Sequence, residues 1–206
     1  MRTIGFDLDG TILEVGLRDY QIYYELITEE NGKAIPFEEY WLLRKNQTNI
    51  FTILADSQYP EHRNDYFLRA RSERMEEMQY LKLVKVFDDV QSVVKKLKRK
   101  YRCVIVTKRH NWNNTNTQIK VLKLDELFDD YIITGSSSKL EAYKSVGNLC
   151  LIVGDTEKDL EAANCLGVPS VGLTTGIRNR KILERFNPTM ILDNFTELYG
   201  YIMEKL

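Results

Sequence analysis

The segment Asp7-Leu8-Asp9-Gly10-Thr11 places two carboxylates two residues apart, directly after a short apolar run. Side chains two apart on an extended chain point the same way, so Asp7 and Asp9 converge on one spot. Gly10 lets the backbone turn sharply and brings bare amides near an anion. The same residue types also make an ordinary strand-to-turn junction. Asp-x-Asp-Gly-Thr arises by chance in a chain this size about once in a thousand, so the motif alone does not decide. Three further positions do: Thr107 at the end of an apolar run, Lys139 opening a helical stretch, and Gly154-Asp155-Thr156-Glu157-Lys158-Asp159. Together they supply a carboxylate able to act as a nucleophile, a second to move protons, a hydroxyl suited to a phosphate oxygen, an ammonium and two further acids.

Each position also has an ordinary structural reading. Thr107 alone is a polar strand end or a cap, and Lys139 alone is an exposed helical lysine with Lys144 as a rival five residues on. Thr156-x-x-Asp159 resembles a capping box with Thr156 as N-cap. These readings are independent of one another, whereas the chemical one needs all four positions in a fixed order. That order is present.

Short apolar runs carry these groups: Thr3–Phe6, Cys103–Val106, Tyr131–Ile133, Leu149–Val153, Ser170–Leu173 and Met190–Leu192. They are rich in β-branched residues and do not alternate cleanly, as strands buried on both faces should not. Helical pattern fills the gaps at Asp89–Lys100, Asn116–Leu124, Lys139–Val146, Glu157–Leu166, Arg178–Phe186 and Phe195–Glu204. Strand and helix alternating in this way predict an α/β fold with a doubly wound parallel sheet. Ligand sites in such sheets form beyond the carboxyl ends of the strands, where the four positions meet.

The rhythm breaks between the first strand and Asp89. Residues 15–85 show only helical pattern: Leu17–Glu30 with Tyr20, Tyr23, Tyr24 and Ile27 on one face, a helix starting at Pro36, a third over Asn49–Ala55 and a fourth over Glu61–Leu81. The expected division is a core of residues 1–14 and 86–206 with a helical module of residues 15–85 inserted in it.

Composition narrows the class. The 206 residues are 43% hydrophobic and 29% charged, an ordinary globular balance. With 29 basic and 30 acidic residues the net charge is −1, which argues against a nucleic-acid binder. Split by region, residues 14–85 carry −3 and the rest +2. Cys103, Cys150 and Cys165 show no disulfide spacing and read as buried free thiols in a reducing compartment. Met1–Asp7 meets a carboxylate too early for a signal peptide, and no apolar stretch approaches a membrane span. The expectation is a soluble, cytoplasmic protein with no membrane partner.

The ordered set Asp7–Thr11, Thr107, Lys139 and Gly154–Asp159 resembles the four motifs of the haloacid dehalogenase-like (HAD) superfamily of hydrolases, and the later run Ala162-Ala163 to Gly176 extends the likeness. The insertion after strand one resembles the helical cap of the family's phosphoglycolate phosphatase-like members. The resemblance implies a Rossmann-like core with a small all-α cap, and a Mg²⁺-dependent phosphatase acting on a small phosphate ester. It implies Asp7 as nucleophile forming an aspartyl-phosphate, and Asp9 as general acid and base. Asp7, the Asp9 carbonyl and Asp155 would bind the metal, Asp159 would steady its water, and Thr107 and Lys139 would hold the transferring group. The acid at Asp9 fits the family's phosphatases and phosphomutases, so a mutase of the β-phosphoglucomutase type is the second expectation. A non-catalytic binding protein on the same fold is the third.

Departures from the pattern are Leu140 after Lys139, where many relatives have Pro, and the basic run Lys108-Arg109-His110, a substrate contact or a solvated loop. Substrate contacts are expected from Gly10, Thr11 and Lys108, and from Arg44 and Lys45 where related caps lower a loop over the site. Monomer and homodimer both stay open.

Overall fold

The computed structural model describes all 206 residues. The chain runs β1 (Arg2–Phe6), β2 (Leu13–Glu14), α1 (Gly16–Glu29), α2 (Phe37–Lys45), α3 (Ile50–Asp56), a 3₁₀ turn (Glu61–Arg63), α4 (Asn64–Arg74), α5 (Met78–Leu81) and β3 (Lys85–Val86). It continues α6 (Val90–Leu97), β4 (Tyr101–Thr107), α7 (Trp112–Val121), α8 (Leu124–Leu127), β5 (Asp130–Ile133), α9 (Lys139–Ser145) and β6 (Leu149–Gly154). The last elements are α10 (Glu157–Leu166), β7 (Ser170–Leu173), α11 (Arg180–Glu184), β8 (Met190–Leu192) and α12 (Phe195–Lys205).

Six strands form one parallel sheet in the order β5-β4-β1-β6-β7-β8. The core is therefore α/β and doubly wound, with helices on both faces. Period-two alternation explains why. In β4, Cys103 and Ile105 enter the apolar cluster on one face, while Val104 and Val106 enter the cluster on the other. Phe6 of β1 packs in the first cluster between Phe128 and Phe195, with ring centroids 5.7 and 5.8 Å away. The winding direction reverses between β1 and β6, which opens a crevice at their carboxyl ends.

Residues 15–85 fold as five helices around an apolar cluster of their own, including Ile22, Tyr23, Leu26, Ile27, Tyr40, Ile53 and Phe67. The Tyr23 and Tyr40 rings stack at 4.2 Å. Leaving and returning chain meet in a two-residue antiparallel ribbon, Leu13 opposite Val86 and Glu14 opposite Lys85.

Several local expectations are corrected. Pro36 sits at the N-cap of α2, one residue earlier than the helix proper. Tyr24 lies off the buried face that Tyr23 and Ile27 share and is 45% exposed. The expected helix over Glu61–Leu81 breaks after Arg74. No Pro or Gly marks the break: the Glu76 carboxylate accepts hydrogen bonds from the backbone amides of His110 and Asn111, and its carbonyl accepts from Asn114 Nδ2. Helix α7 starts at Trp112 rather than Asn116, because Asn111 caps it by accepting from the Asn114 amide at 3.0 Å. Of the three thiols only Cys103 is buried, and Cys165 is exposed. No helix is long and apolar enough to cross a membrane.

Candidate active site

The carboxyl ends of β1, β4 and β6 and the first turn of α9 bring Asp7, Thr107, Asp155 and Lys139 around one cavity of about 250 Å³. Asp7 follows β1 and is buried, its amide donating to the Val153 carbonyl at 2.9 Å, which continues the sheet ladder past the strand end. Gly10 adopts φ +82°, and a Cβ there would lie 2.2 Å from a carboxylate oxygen of Asp155. Gly176 is pressed against the same carboxylate, leaving no room for a side chain. Both glycines are needed because the backbone itself walls in Asp155.

Asp155 is held from two sides: Oδ2 accepts from the Ile177 amide at 2.8 Å and Oδ1 from the Thr11 hydroxyl at 3.2 Å. Thr11 thus positions an acid and does not itself line the cavity. Of the two candidate lysines, Lys139 is the one at the acid cluster. Its Nζ lies 2.6 Å from Asp7 Oδ1 and 2.7 Å from Asp159 Oδ1, while Lys144 is exposed and pairs with Glu141. Ser138 caps α9 by accepting from the Glu141 amide, which sets Lys139 at the start of the helix. Asp159 is held on both oxygens, since Oδ1 also accepts from the Tyr143 hydroxyl and Oδ2 from the Thr156 hydroxyl at 2.9 Å. The Thr156 hydroxyl donates to that carboxylate instead of accepting from a backbone amide, so the capping-box reading fails.

Carboxylate oxygens of Asp7, Asp155 and Asp159 lie within 4.8 Å of one another, three buried acids against the one ammonium of Lys139. Burial pushes Asp7 well above the usual carboxylate range; Lys139 opposes the shift, and Asp159 and Asp155 add to it. Burial likewise raises Asp155 to about 6, against the Ile177 amide. Burial works against the Lys139 ammonium, yet Asp159 and Asp7 outweigh it and keep it protonated. Like charges this close call for a divalent cation, and hard carboxylate oxygens suit one. The donor set therefore fits a divalent metal.

Asp9 stands apart from that cluster. Its side chain is 28% exposed and is gripped by Arg109, with Nε to Oδ2 at 2.8 Å and Nη2 to Oδ1 at 2.6 Å, and by Arg18 Nη2 at 3.0 Å. Burial alone would raise it, but Arg109 and Arg18 outweigh that and hold the carboxyl well below its usual range. Arg109 in turn donates to Gln118 Oε1 at 2.6 Å, and Gln118 Nε2 donates to the Leu81 carbonyl at 2.8 Å, so the grip runs into the helical insert.

The insert closes the cavity with Val15, Arg18, Asp19, Arg71 and Met75. Of the basic loop, Lys108 lines the cavity and Arg109 is buried on Asp9. Arg44 and Lys45, expected at the substrate, are not among the lining residues. Arg44 Nε pairs with Asp19 at 3.2 Å, and Lys45 Nζ donates to the Thr174 carbonyl at 2.9 Å, where α2 meets the loop after β7. Arg18, Asp19 and Arg71 are the cavity residues that sequence reasoning missed, and Arg109, for which the sequence leaves substrate contact and solvated loop open, is neither but a buried partner of Asp9.

A family model described as haloacid dehalogenase-like hydrolase matches residues 4–173. The chain belongs to that family, and the phosphatase type within it is the enzyme class. The chain is similar to pyrophosphatase PpaX of Bacillus mycoides, with 22% identity over 96% of this chain and 95% of that one. Among solved structures it resembles a predicted phosphoglycolate phosphatase of Haemophilus somnus, with a TM-score of 0.74, 20% identity and 98% of both chains covered. It also resembles a putative β-phosphoglucomutase of Thermotoga maritima, with a TM-score of 0.68, 14% identity and 100% of both chains covered.

Proposed function

We propose that the protein is a Mg²⁺-dependent phosphatase of small phosphate esters that works through an aspartyl-phosphate on Asp7. The observation that carries this reading is the placement of Asp7 between Lys139 and Asp155 at the floor of the cavity, with Thr107 and Asp9 on its walls. Mg²⁺, held by Asp7, Asp155 and the Asp9 carbonyl, would supply positive charge against the phosphate and the clustered acids.

The chain's own groups do the rest. An Asp7 carboxylate oxygen attacks phosphorus, forming the acyl-phosphate bond as the ester P–O bond breaks. Lys139 and the Thr107 hydroxyl steady the phosphoryl oxygens as charge shifts onto the leaving oxygen. Asp9 delivers a proton to that oxygen and later takes one from the water that attacks phosphorus and frees Asp7. Held as a carboxylate by Arg18 and Arg109, Asp9 is ready for the second step. Its first role requires that the grip loosen when substrate enters. Asp159, bound to Lys139, Tyr143 and Thr156, keeps the ammonium aimed at Asp7. The insert acts as a cap that excludes water through its contacts to the Thr174–Asn179 and His110–Asn114 segments.

Turnover of p-nitrophenyl phosphate tests the reading. It is expected with Mg²⁺, to be lost with chelator and to be lost in Asp7→Asn; activity surviving in that variant would overturn the mechanism. A phosphomutase would isomerise a sugar phosphate faster than it releases phosphate. The intact Asp7–Asp9 pair argues against a purely binding role.

A further inference from the structure

Arg18 is the one buried charged side chain at the cavity whose hydrogen-bonding groups are largely unused. It is 2% exposed, its Nη2 meets Asp9 at 3.0 Å, and its buried Nε and Nη1 have no partner. Buried donors of this kind are nearly always satisfied, so a guanidinium with two idle nitrogens marks a place for a ligand atom. Arg18 lines the main cavity and also an adjoining lobe of about 230 Å³, shared with Asp9, Arg71, Glu76, Lys108 and Arg109. The surrounding charge points the same way. Asp9, Asp19 and Glu76 are the carboxylates there, against Arg18, Arg71, Arg109 and Lys108, with Arg44 paired to Asp19 just outside the lining. Asp19 is already taken up by Arg71 at 2.5 Å and Arg44 at 3.2 Å, so it cannot serve Arg18 as well. A surplus of two positive charges remains on the side of the cavity opposite the carboxylate cluster.

We propose that Arg18, with Arg71 beside it, is a subsite for a second anionic group, so that the substrate is a small phosphorylated compound carrying a carboxylate or a second phosphate close to the phosphorus being attacked. This rests on the phosphatase reading for the attacked phosphate but not for the subsite itself. A carboxylate or phosphate oxygen pair matches the fork of a guanidinium in bidentate fashion, which a hydroxyl or an alkyl group does not. An anion that occupies Arg18 also competes with Asp9 for it, which couples substrate entry to release of the Asp9 carboxyl.

Two matched pairs test the subsite. In kinetics with Mg²⁺, phosphoglycolate is compared with ethyl phosphate, and pyrophosphate with methyl phosphate. The first pair reads a carboxylate and the second a phosphate as the second anion. In calorimetry, phosphonoacetate is compared with ethylphosphonate, two non-hydrolysable ligands of similar size. The proposal expects the wild type to favour the doubly anionic member of at least one kinetic pair by tenfold or more in kcat/KM, and phosphonoacetate by a similar factor in Kd. Arg18→Met should reduce that preference about tenfold, chiefly through KM, and Arg71→Gln should reduce it by a smaller factor and serves where the first variant does not fold. Absence of any preference in the wild type would overturn the subsite, as would variants that slow both members of a pair equally. Binding preference without turnover of any ester would retain the subsite and overturn the hydrolase reading. Turnover without preference would do the reverse.

Discussion

The two ends of the cavity carry opposite charge, and only one of them draws on the insert. The sheet end holds Asp7, Asp155 and Asp159 against Lys139, an excess of negative charge that a divalent cation would balance. The other end sets Arg18, Arg44 and Arg71 of the insert and Lys108 and Arg109 of the core around Asp9, Asp19 and Glu76, an excess of positive charge that an anion would balance. A metal-bound phosphate with an anionic tail would satisfy both ends at once. Neither end is at rest alone, because unpaired charge in a low-dielectric setting is costly.

The largest expected effect breaks the sheet end. Lys139→Met removes the only cation among three buried acids, and kcat should fall by about 10²–10³-fold, the range seen when one charge-stabilising donor is lost. Steady-state kinetics check this, and turnover within tenfold of wild type would show that Lys139 does not touch the reacting group. At the insert end, Ile22→Ala hollows the apolar cluster behind Arg18 and should destabilise the fold by about 2–5 kcal/mol in urea titration. Its turnover of p-nitrophenyl phosphate at low temperature should fall much less than that of Lys139→Met. A third expectation concerns the metal. Mg²⁺ at about 100 times its Kd should stabilise the folded chain by about 2.7 kcal/mol, read as a higher Tm, and Asp155→Asn should abolish the gain.

The smallest effect separates the ends by pH. Burial opposes ionisation of Asp19, but Arg71 and Arg44 outweigh it and lower its pKa to about 2. A carboxyl lowered in the folded state adds stability above its unfolded pKa and loses it as pH falls through the folded one. Asp19→Asn should therefore cost on the order of 2 kcal/mol at pH 7, less below about pH 4, and almost nothing near pH 2. Equal destabilisation at pH 7 and pH 3 would mean that the charge pairing of Asp19 contributes nothing.

The same division governs what could be read from the residues alone. Asp7, Thr107, Lys139 and Asp155 each follow a strand or open a helix, so chain order sufficed to bring them together. The parallel sheet followed from β-branched runs such as Leu149–Val153 alternating with helices. The insert end depends on which face a helix turns inward, and weak periodicity hid that. A signal existed for Arg18: it lies three residues after Val15 and four before Ile22, on the stripe that packs inward. Arg109 stands two residues past Thr107, the spacing that returns a side chain to the same side. Likeness to related caps sets Arg44 and Lys45 at the substrate, but in the structure they bind Asp19 and the Thr174 carbonyl. The break between α4 and α5 depends on amides that lie more than 30 residues away, at His110 and Asn111, and no local signal could report it.

The covalent role of Asp7 is the claim on which the rest depends. The direct measurement is to quench the enzyme in acid during turnover of a ³²P-labelled ester with Mg²⁺ and to map the protein-bound label. The account predicts a hydroxylamine-sensitive phosphate on the peptide containing Asp7, absent from Asp7→Asn. Phosphate release at full rate with no label on Asp7, or with label on another residue, would contradict it.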